Sequence, residues 1–160
     1  LLPGWAVVCA AEALLAHAAT YPARADEYGQ TFRTFLEYGE ACDARDYAAA
    51  QVERMAFSRR LQAVFEQVEA VACPGSFMPP PPSDALDTDA VFSPEIAPFL
   101  RCTAPFDFSG NPTLSLPAGF EAGLALGIQL VGPHCGEAML CRLGHAFEQA
   151  SDWHRRRPPL

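Results

Sequence analysis

One serine, one histidine and one aspartate raise the question of a hydrolytic triad within this chain. Ser109 would be the nucleophile, His134 the base, and Asp107 the group that orients the base. Ser109, however, is not part of a Gly-x-Ser-x-Gly turn, the local sequence that exposes the nucleophile in many hydrolases. It stands among turn-forming residues, where serine is common because its hydroxyl bonds to nearby backbone. The sequence therefore favours a structural role for Ser109.

The six cysteines are the other residues that could do chemistry. No Cys-x-x-Cys pair occurs, and Cys135 and Cys141, with His134 and His145 nearby, are a poor fit to the tight ligand spacing of a zinc site. We therefore expect no metal and no cofactor, and we expect reduced, mostly buried thiols. Reduced thiols are typical of a cytoplasmic protein.

The charge of the chain bears on its partners. Its 160 residues carry a net charge of −8, which argues against a broad surface for nucleic acid or an anionic membrane. The basic run at residues 155–157 is interpreted as a solvated tail. No run of about 18 apolar residues occurs, so we expect no membrane span. All 11 basic residues are arginine, and the chain contains no lysine.

Residues 102–132 predict two short strands. Apolar runs at 113–117 and 126–131 are bounded by proline and glycine, and we expect them in one sheet covered on both faces. Gly119 and Gly123 suit a connection that needs positive φ. Polar loop residues that could face a cleft precede the first strand: Asp107, Ser109 and Asn111.

Several short motifs follow one another in order through this stretch, over about a fifth of the chain. They are Thr103, Pro105, Phe106, Gly110–Pro112, Ser115–Phe120, Gly123, Leu124, Gly127–Gly132 and Glu137. In this order they resemble the C-terminal segment of the amidase signature family, serine amidohydrolases that include one component of the aminoacyl-tRNA amidotransferases. Asp107 stands where that pattern usually has asparagine, and Ala125 stands where it usually has proline.

The sequence upstream of this stretch predicts three helices and a strand. The first two helices cover residues 5–19 and 26–41, and Gly39 is expected at the C-terminal turn of the second. Asp43 is a good N-cap for a long third helix, whose apolar residues recur at three- and four-residue steps. A short strand at 68–73 follows it.

The predicted fold class is α/β: N-terminal helices, then strands of a mixed sheet, then a closing helix over residues 136–150. The resemblance makes this the C-terminal part of an amidase signature fold. Residues 1–70 are the helical segment, and residues 71–160 are the sheet-forming and cleft segment, with a proline-rich loop at 74–99 that we expect to be packed. The closing helix should pack through Leu140, Leu143 and Phe147.

The resemblance implies amide hydrolysis by a nucleophilic serine, a bridging second serine and a lysine, in a Gly/Ser-rich segment that stabilises the oxyanion. This chain has no lysine and no such segment. The resemblance therefore implies the C-terminal, substrate-cleft-forming portion of an amide-bond hydrolase, with no catalytic residue of its own and inactive alone. The pocket-wall positions that the resemblance implies are Thr103, Phe106 and Asp107.

Other interpretations stay open. Phe106 could be a core residue and Asp107 part of a local turn. The chain could be a non-catalytic, degenerate relative that only binds or assembles, or a subunit that completes an active site on another chain. Because it begins at Leu1 without a methionine, we expect part of a longer polypeptide. The complete enzyme would bind a small-molecule amide, and the isolated chain would associate through an uncovered sheet edge.

Overall fold

The computed structural model describes residues 1–80, 82 and 97–157. The chain divides into two compact units. Among the described residues, Leu1–Phe57, Pro82 and Ala97 belong to the first unit, and Ser58–Pro80 with 98–157 belong to the second. The first unit is built from helices, whereas the second contains a sheet. Of the predicted proline-rich loop at 74–99, residues 81 and 83–96 lie outside the described residues.

The helices of the first unit follow the prediction with shifted ends. They are α1 (Leu2–His17), α2 (Gln30–Ala41) and the first part of α3 (Ala44–Phe65), with a 3-10 turn at Ala25–Glu27. Gly29 has an extended conformation before α2, so the second helix begins later than predicted.

The predicted N-cap of α3 is confirmed. Asp43 Oδ1 accepts hydrogen bonds from the backbone amides of Arg45, at 2.7 Å, and Asp46, at 2.9 Å. The Asp46 carboxylate accepts in return from the Asp43 amide at 3.0 Å. This reciprocal pair satisfies amides that have no acceptor inside the helix, and so it fixes where α3 begins.

Gly39 was predicted at the C-terminal turn of α2, and this prediction was wrong. Gly39 lies inside the helix, and a Cβ atom placed on it would be 2.6 Å from the carbonyl oxygen of Ala10 in α1. Ala10 is fully buried. The glycine is therefore needed because two helix backbones approach closely here, and not because the chain turns.

The second unit is built on an antiparallel sheet. Its strands β1 (Val71–Pro74), β2 (Thr113–Glu121) and β3 (Leu124–Val131) lie in the order β1-β3-β2. The helices α5 (Ala104–Ser109) and α6 (Glu137–Ala150) accompany them, with a 3-10 turn at Trp153–Arg155. The end of α3 from Ser58 and the short α4 (Ala97–Leu100) from residue 98 also belong to this unit. The α/β class is confirmed, and the two predicted apolar runs do share one sheet. A mixed sheet was predicted. Among the described residues, both strand pairs of this sheet are antiparallel.

A two-residue turn joins β2 to β3. Ala122 and Gly123 both have positive φ, 49° and 82°, which is what the tight hairpin turns that match strand twist require. Gly123 thus has the predicted role. Gly119 does not, because it lies in β2 next to a register shift that follows Pro117.

Helix α6 covers one face of the sheet, as predicted. Leu140 is buried against Gly132, and Gly144 lies so close to Leu114 that a Cβ atom would meet its Cδ2. Leu143 was predicted to join this contact, but its side chain is 37% exposed. It immediately precedes Gly144, and one residue rotates a helix by about 100°, which turns Leu143 off the contact face.

Burial of the sheet is uneven along the hairpin. Leu116 and Val131 are buried, whereas Phe120 and Leu124 near the turn are 42% and 43% exposed. Phe120 and Leu124 lie outside the two predicted apolar runs. Within the runs Thr113, Ser115 and Gly127 are exposed, so the prediction that both runs are covered on both faces was wrong at these positions.

Replacing Gly39 with alanine should destabilise the first unit. The new Cβ would overlap backbone atoms of Ala10, which cannot rotate away as a side chain can. Although alanine is the better helix former, we expect unfolding free energy to fall by about 1–3 kcal/mol, as at other overpacked sites. Urea denaturation measures this. Gly119→Ala is the matched control, since no atom lies within 4 Å of its Cβ position; an equal loss in both variants would contradict the contact.

Candidate functional site

The three predicted pocket residues lie at one short helix, where a polar loop had been predicted. Thr103 precedes α5, and Phe106 and Asp107 lie within it. The Thr103 carbonyl accepts hydrogen bonds from the amides of Phe106 and Asp107, at 3.1 and 3.2 Å. Residues three and four apart share a helix face. On this face Thr103 and Asp107 are exposed and Phe106 is half-buried. Their role in a substrate pocket stays a prediction.

The end of α5 is closed by a glycine motif. Gly110 has φ 75°, its amide donates to the Asp107 carbonyl, and the Asn111 amide donates to the Phe106 carbonyl, both at 3.1 Å. These two crossed bonds are the Schellman arrangement that ends many helices. Buried Asn111 also donates from Nδ2 to the Gly132 carbonyl at 2.7 Å. Asn111 therefore ties the end of α5 to the end of β3 and does not face a cleft.

The structure does not assemble the internal triad. Ser109 is buried, and its hydroxyl donates to the Phe106 carbonyl oxygen at 3.1 Å. His134 Nε2 lies 3.1 Å from the Ser109 carbonyl oxygen and not from the hydroxyl. Both side chains therefore bond to backbone near the end of α5, as the sequence favoured for Ser109.

Gln129 is the buried polar residue that sequence reasoning missed. It lies on the central strand β3, and its side chain is 4% exposed. Its Nε2 donates to the Cys102 carbonyl oxygen at 2.8 Å and lies 3.5 Å from Cys73 Sγ. The bond holds the residues just before α5 onto the sheet. One polar residue inside an otherwise apolar central run was the available signal, because such a residue must find a buried partner.

Cys102 is a buried thiol whose environment favours the neutral form. Its side chain is 3% exposed, and burial raises the pKa of the thiol above its ordinary value, with neighbouring Cys73 raising it further. A thiol with a raised pKa is a poor nucleophile at neutral pH, since the thiolate is the reactive form. The raised pKa and the burial of Cys102 therefore do not indicate an activated thiol.

The other cysteines differ from the prediction in burial. All six lie in the described residues and none forms a disulfide, but only Cys102 is buried, whereas Cys135 and Cys141 are exposed. Among the described residues, no three His, Cys, Asp or Glu side chains come together in a way that could hold a metal ion. No helix there is long and apolar enough to cross a membrane.

The second unit also has an open cleft of about 410 Å³. The end of α3 and the residues around the start of α6 form its walls. None of the predicted pocket residues is among those that line it: Phe65, Glu66, Gln67, Val68, Glu69, Pro133, Gly136 and Met139.

Comparison with known proteins decides the family. The sequence profile of the family described as Amidase matches residues 7–141. The chain belongs to the amidase family. This confirms the resemblance to the amidase signature enzymes that the motifs between Thr103 and Glu137 indicated.

Individual relatives agree with this assignment. AmiD, a proposed amidase of Mycobacterium tuberculosis (strain ATCC 25618 / H37Rv), is 41% identical over 153 residues, which are 94% of this chain and 32% of AmiD. The glutamyl-tRNA(Gln) amidotransferase component from Roseiflexus sp. (strain RS-1) is 38% identical over 116 residues, 71% of this chain and 23% of that protein. The chain therefore spans about a third or less of the length of these relatives.

Solved structures share the fold. The crystal structure of an amidase superposes with a TM-score of 0.80 and 26% identity, over 91% of this chain and 34% of the amidase. A bacterial aryl acylamidase of the amidase signature family superposes with a TM-score of 0.74 and 20% identity, over 95% of this chain and 34% of that enzyme.

Replacing Gln129 with leucine should destabilise the second unit. The Cys102 carbonyl would stay buried without its donor, a loss of about 1–3 kcal/mol. Gln129→Glu should cost more at neutral pH, because a carboxylate places an acceptor against the carbonyl oxygen. Urea denaturation measures both.

Ser115→Ala is the matched control, because exposed Ser115 pairs with Gln129 across β2 and β3 and so lies on the same face of the sheet. A Gln129→Leu variant as stable as Ser115→Ala would contradict a stabilising role for the Gln129 amide.

Proposed function

We propose that this chain is the C-terminal, substrate-cleft-forming portion of an amide-bond hydrolase and that it does not hydrolyse amides alone. The observation that carries the proposal is the absence of lysine from all 160 residues of an amidase-family chain. The amidase signature mechanism needs a lysine to accept the proton of the nucleophilic serine. The 32% coverage of AmiD supports a remainder of the enzyme that supplies this machinery.

Under this proposal α5 is a wall of the substrate cleft. The half-buried ring of Phe106 offers an apolar contact for the substituent of a small-molecule amide. The exposed hydroxyl of Thr103 and carboxylate of Asp107 offer oxygen acceptors for an amide N–H. Buried amides at both ends of the helix, from Gln129 and Asn111, support this role because they hold the wall in place.

The proposal extends to domain organisation and location. We assign residues 1–70 to a helical segment and 71–160 to the segment that forms sheet and cleft, both within the C-terminal portion of one amidase domain. We also place the protein in the cytoplasm, which is supported by six cysteines without a disulfide.

A second candidate is a chain that completes an active site on another polypeptide. Its support is the similarity to a protein named as one component of a glutamyl-tRNA(Gln) amidotransferase. Both candidates require catalytic groups from outside these residues.

We expect purified 1–160 to show no turnover of simple aliphatic and aromatic amides. The serine that could be considered, Ser109, is buried and bonds to backbone, so Ser109→Ala should leave this result unchanged. Turnover that is abolished both by a serine-directed inhibitor and by Ser109→Ala would overturn the proposal of inactivity.

A chimera tests the amidase part of the same prediction. Residues 1–160 replace the matching third of AmiD, and AmiD itself serves as the positive control on the same amides. We expect the chimera to turn over the amides that AmiD turns over, and Phe106→Ala to raise its KM. Leu143→Ala, on the exposed side of α6, is the matched control. A folded chimera without activity, beside active AmiD, would overturn the proposal.

The isolated chain should also associate through its sheet. Within the described residues the outer edges of β1 and β2 are unpaired, and such edges recruit other strands. Exposed Phe120 and Leu124 add apolar surface next to one edge. The net charge of −8 opposes association, but charge is screened over about 8 Å at physiological salt.

Light scattering across micromolar concentrations measures this association. Ser115→Lys, which places a charge on the exposed edge strand β2, should reduce it. Gln62→Lys makes the same charge change on an exposed position of α3 and should not reduce it to the same extent. A molar mass that stays monomeric at every concentration would contradict association through the edge.

A further inference from the structure

Two of the six cysteines lie beside one buried amide. Cys73 of β1 pairs directly with Gln129 of β3, so their side chains are on the same face of the sheet. Gln129 Nε2 is 3.5 Å from Cys73 Sγ and 2.8 Å from the Cys102 carbonyl oxygen. A single nitrogen atom therefore touches both residues, although they are far apart in sequence.

The electrostatics agree with this closeness. The pKa of the Cys102 thiol is raised first by its own burial and then by Cys73. A charge on the Cys73 sulfur can raise the pKa of another thiol only over a short distance, because Coulomb interactions weaken with separation and with screening. The two contacts of Gln129 place the Cys73 sulfur beside the Cys102 backbone, and the direction of the Cys102 pKa agrees with this placement.

The two thiols differ in access. Cys73 is half-buried near the end of a four-residue edge strand, whereas Cys102 is 3% exposed. An oxidant from solution thus reaches the Cys73 sulfur before the buried Cys102 sulfur. Redox-active cysteine pairs have this order, with one accessible sulfur and one resolving sulfur next to it.

We propose that Cys73 and Cys102 form an intramolecular disulfide when a peroxide oxidises this chain. The Cys73 thiol loses its proton and attacks one peroxide oxygen, so the O–O bond breaks, Cys73 becomes a sulfenic acid and hydroxide leaves. That hydroxide takes the Cys102 proton and becomes the first water. The Cys102 thiolate then attacks the Cys73 sulfur, the S–O bond breaks, and the second hydroxide takes up the proton that Cys73 lost and leaves as the second water. Two thiols lose two electrons and two protons, and one peroxide is reduced to two waters.

The bond would act on the segment before α5. In the reduced chain, the Gln129 amide is the bond by which β3 holds the Cys102 backbone. A disulfide would add a covalent link between Cys73, near the end of β1, and Cys102, which directly precedes Thr103. Oxidation would therefore fix α5 to the sheet more firmly. This inference stands on the contacts of Cys73, Cys102 and Gln129 and does not depend on the amidase proposal.

The absence of lysine makes the test simple, because trypsin then cuts this chain only after arginine. Exposed Cys135 and Cys141 are first replaced by serine, which removes the sulfurs most able to link two molecules. Peptide 61–101 then has Cys73 as its one cysteine, and peptide 102–142 has Cys102 as its one cysteine. The folded chain is treated with dilute hydrogen peroxide, the remaining thiols are alkylated, and the digest is analysed by mass without reduction.

We expect peptides 61–101 and 102–142 to appear linked, at a mass lower than their sum by two hydrogens, with loss of both alkylated forms. Dithiothreitol should restore the separate peptides. Cys73→Ser should abolish the link, whereas Cys42→Ser, at a cysteine that is also half-buried, should leave it intact.

Three results would overturn the proposal. The first is that the two peptides stay separate after Cys73 has been oxidised. The second is that Cys73 links to Cys9 or Cys42, or to a second molecule, as readily as to Cys102. The third is that the link forms equally fast in chain unfolded by guanidinium, since the fold would then not be what brings the two sulfurs together.

Discussion

One buried hydrogen bond, from the Gln129 amide to the Cys102 carbonyl, connects the sheet to the segment that leads into α5. A second buried amide, that of Asn111, bonds the other end of this segment to Gly132. A six-residue helix gains too little from its own hydrogen bonds to be stable in water. The position of α5 therefore depends on these two side chains. Gln129 donates from the sheet to the Cys102 carbonyl, and Asn111 donates to the Gly132 carbonyl after β3. The exposed face of Thr103 and Asp107 is placed by both of them.

This arrangement separates positioning from reaction. The buried polar side chains near α5, including Ser109, bond to backbone carbonyls, so their hydrogen-bonding capacity is used for structure. Thr103 and Asp107 lie towards solvent on α5. In the proposed function they belong to the wall of the cleft, and the proton-accepting lysine comes from outside these residues because the chain contains none.

The sequence was most informative where local chemistry decides the structure. The Asp43 cap, the Gly123 turn and the two apolar strands depend on residues a few positions apart. It was least informative where a distant backbone decides. Gly39 is required because the backbone of Ala10, in another helix, approaches it closely. Helix α5 has six residues, too few to show a helical period, so its sequence was interpreted as a loop. Gln129 was missed because its partner, Cys102, is remote in sequence and bonds through its backbone.

The strand order β1-β3-β2 also bears on how the second unit folds. The β2–β3 hairpin is closed by two residues with suitable φ, so it is a local structure that forms within microseconds once the turn is made. Val71 must instead find Val131 across most of the second unit's sequence, and the entropy of closing so long a loop precedes any gain from pairing. Contact order thus makes β1 the late strand. Until β1 pairs, the edge of β3 that faces β1 in the finished sheet stays open, and a newly made chain is then most exposed to pairing with other chains.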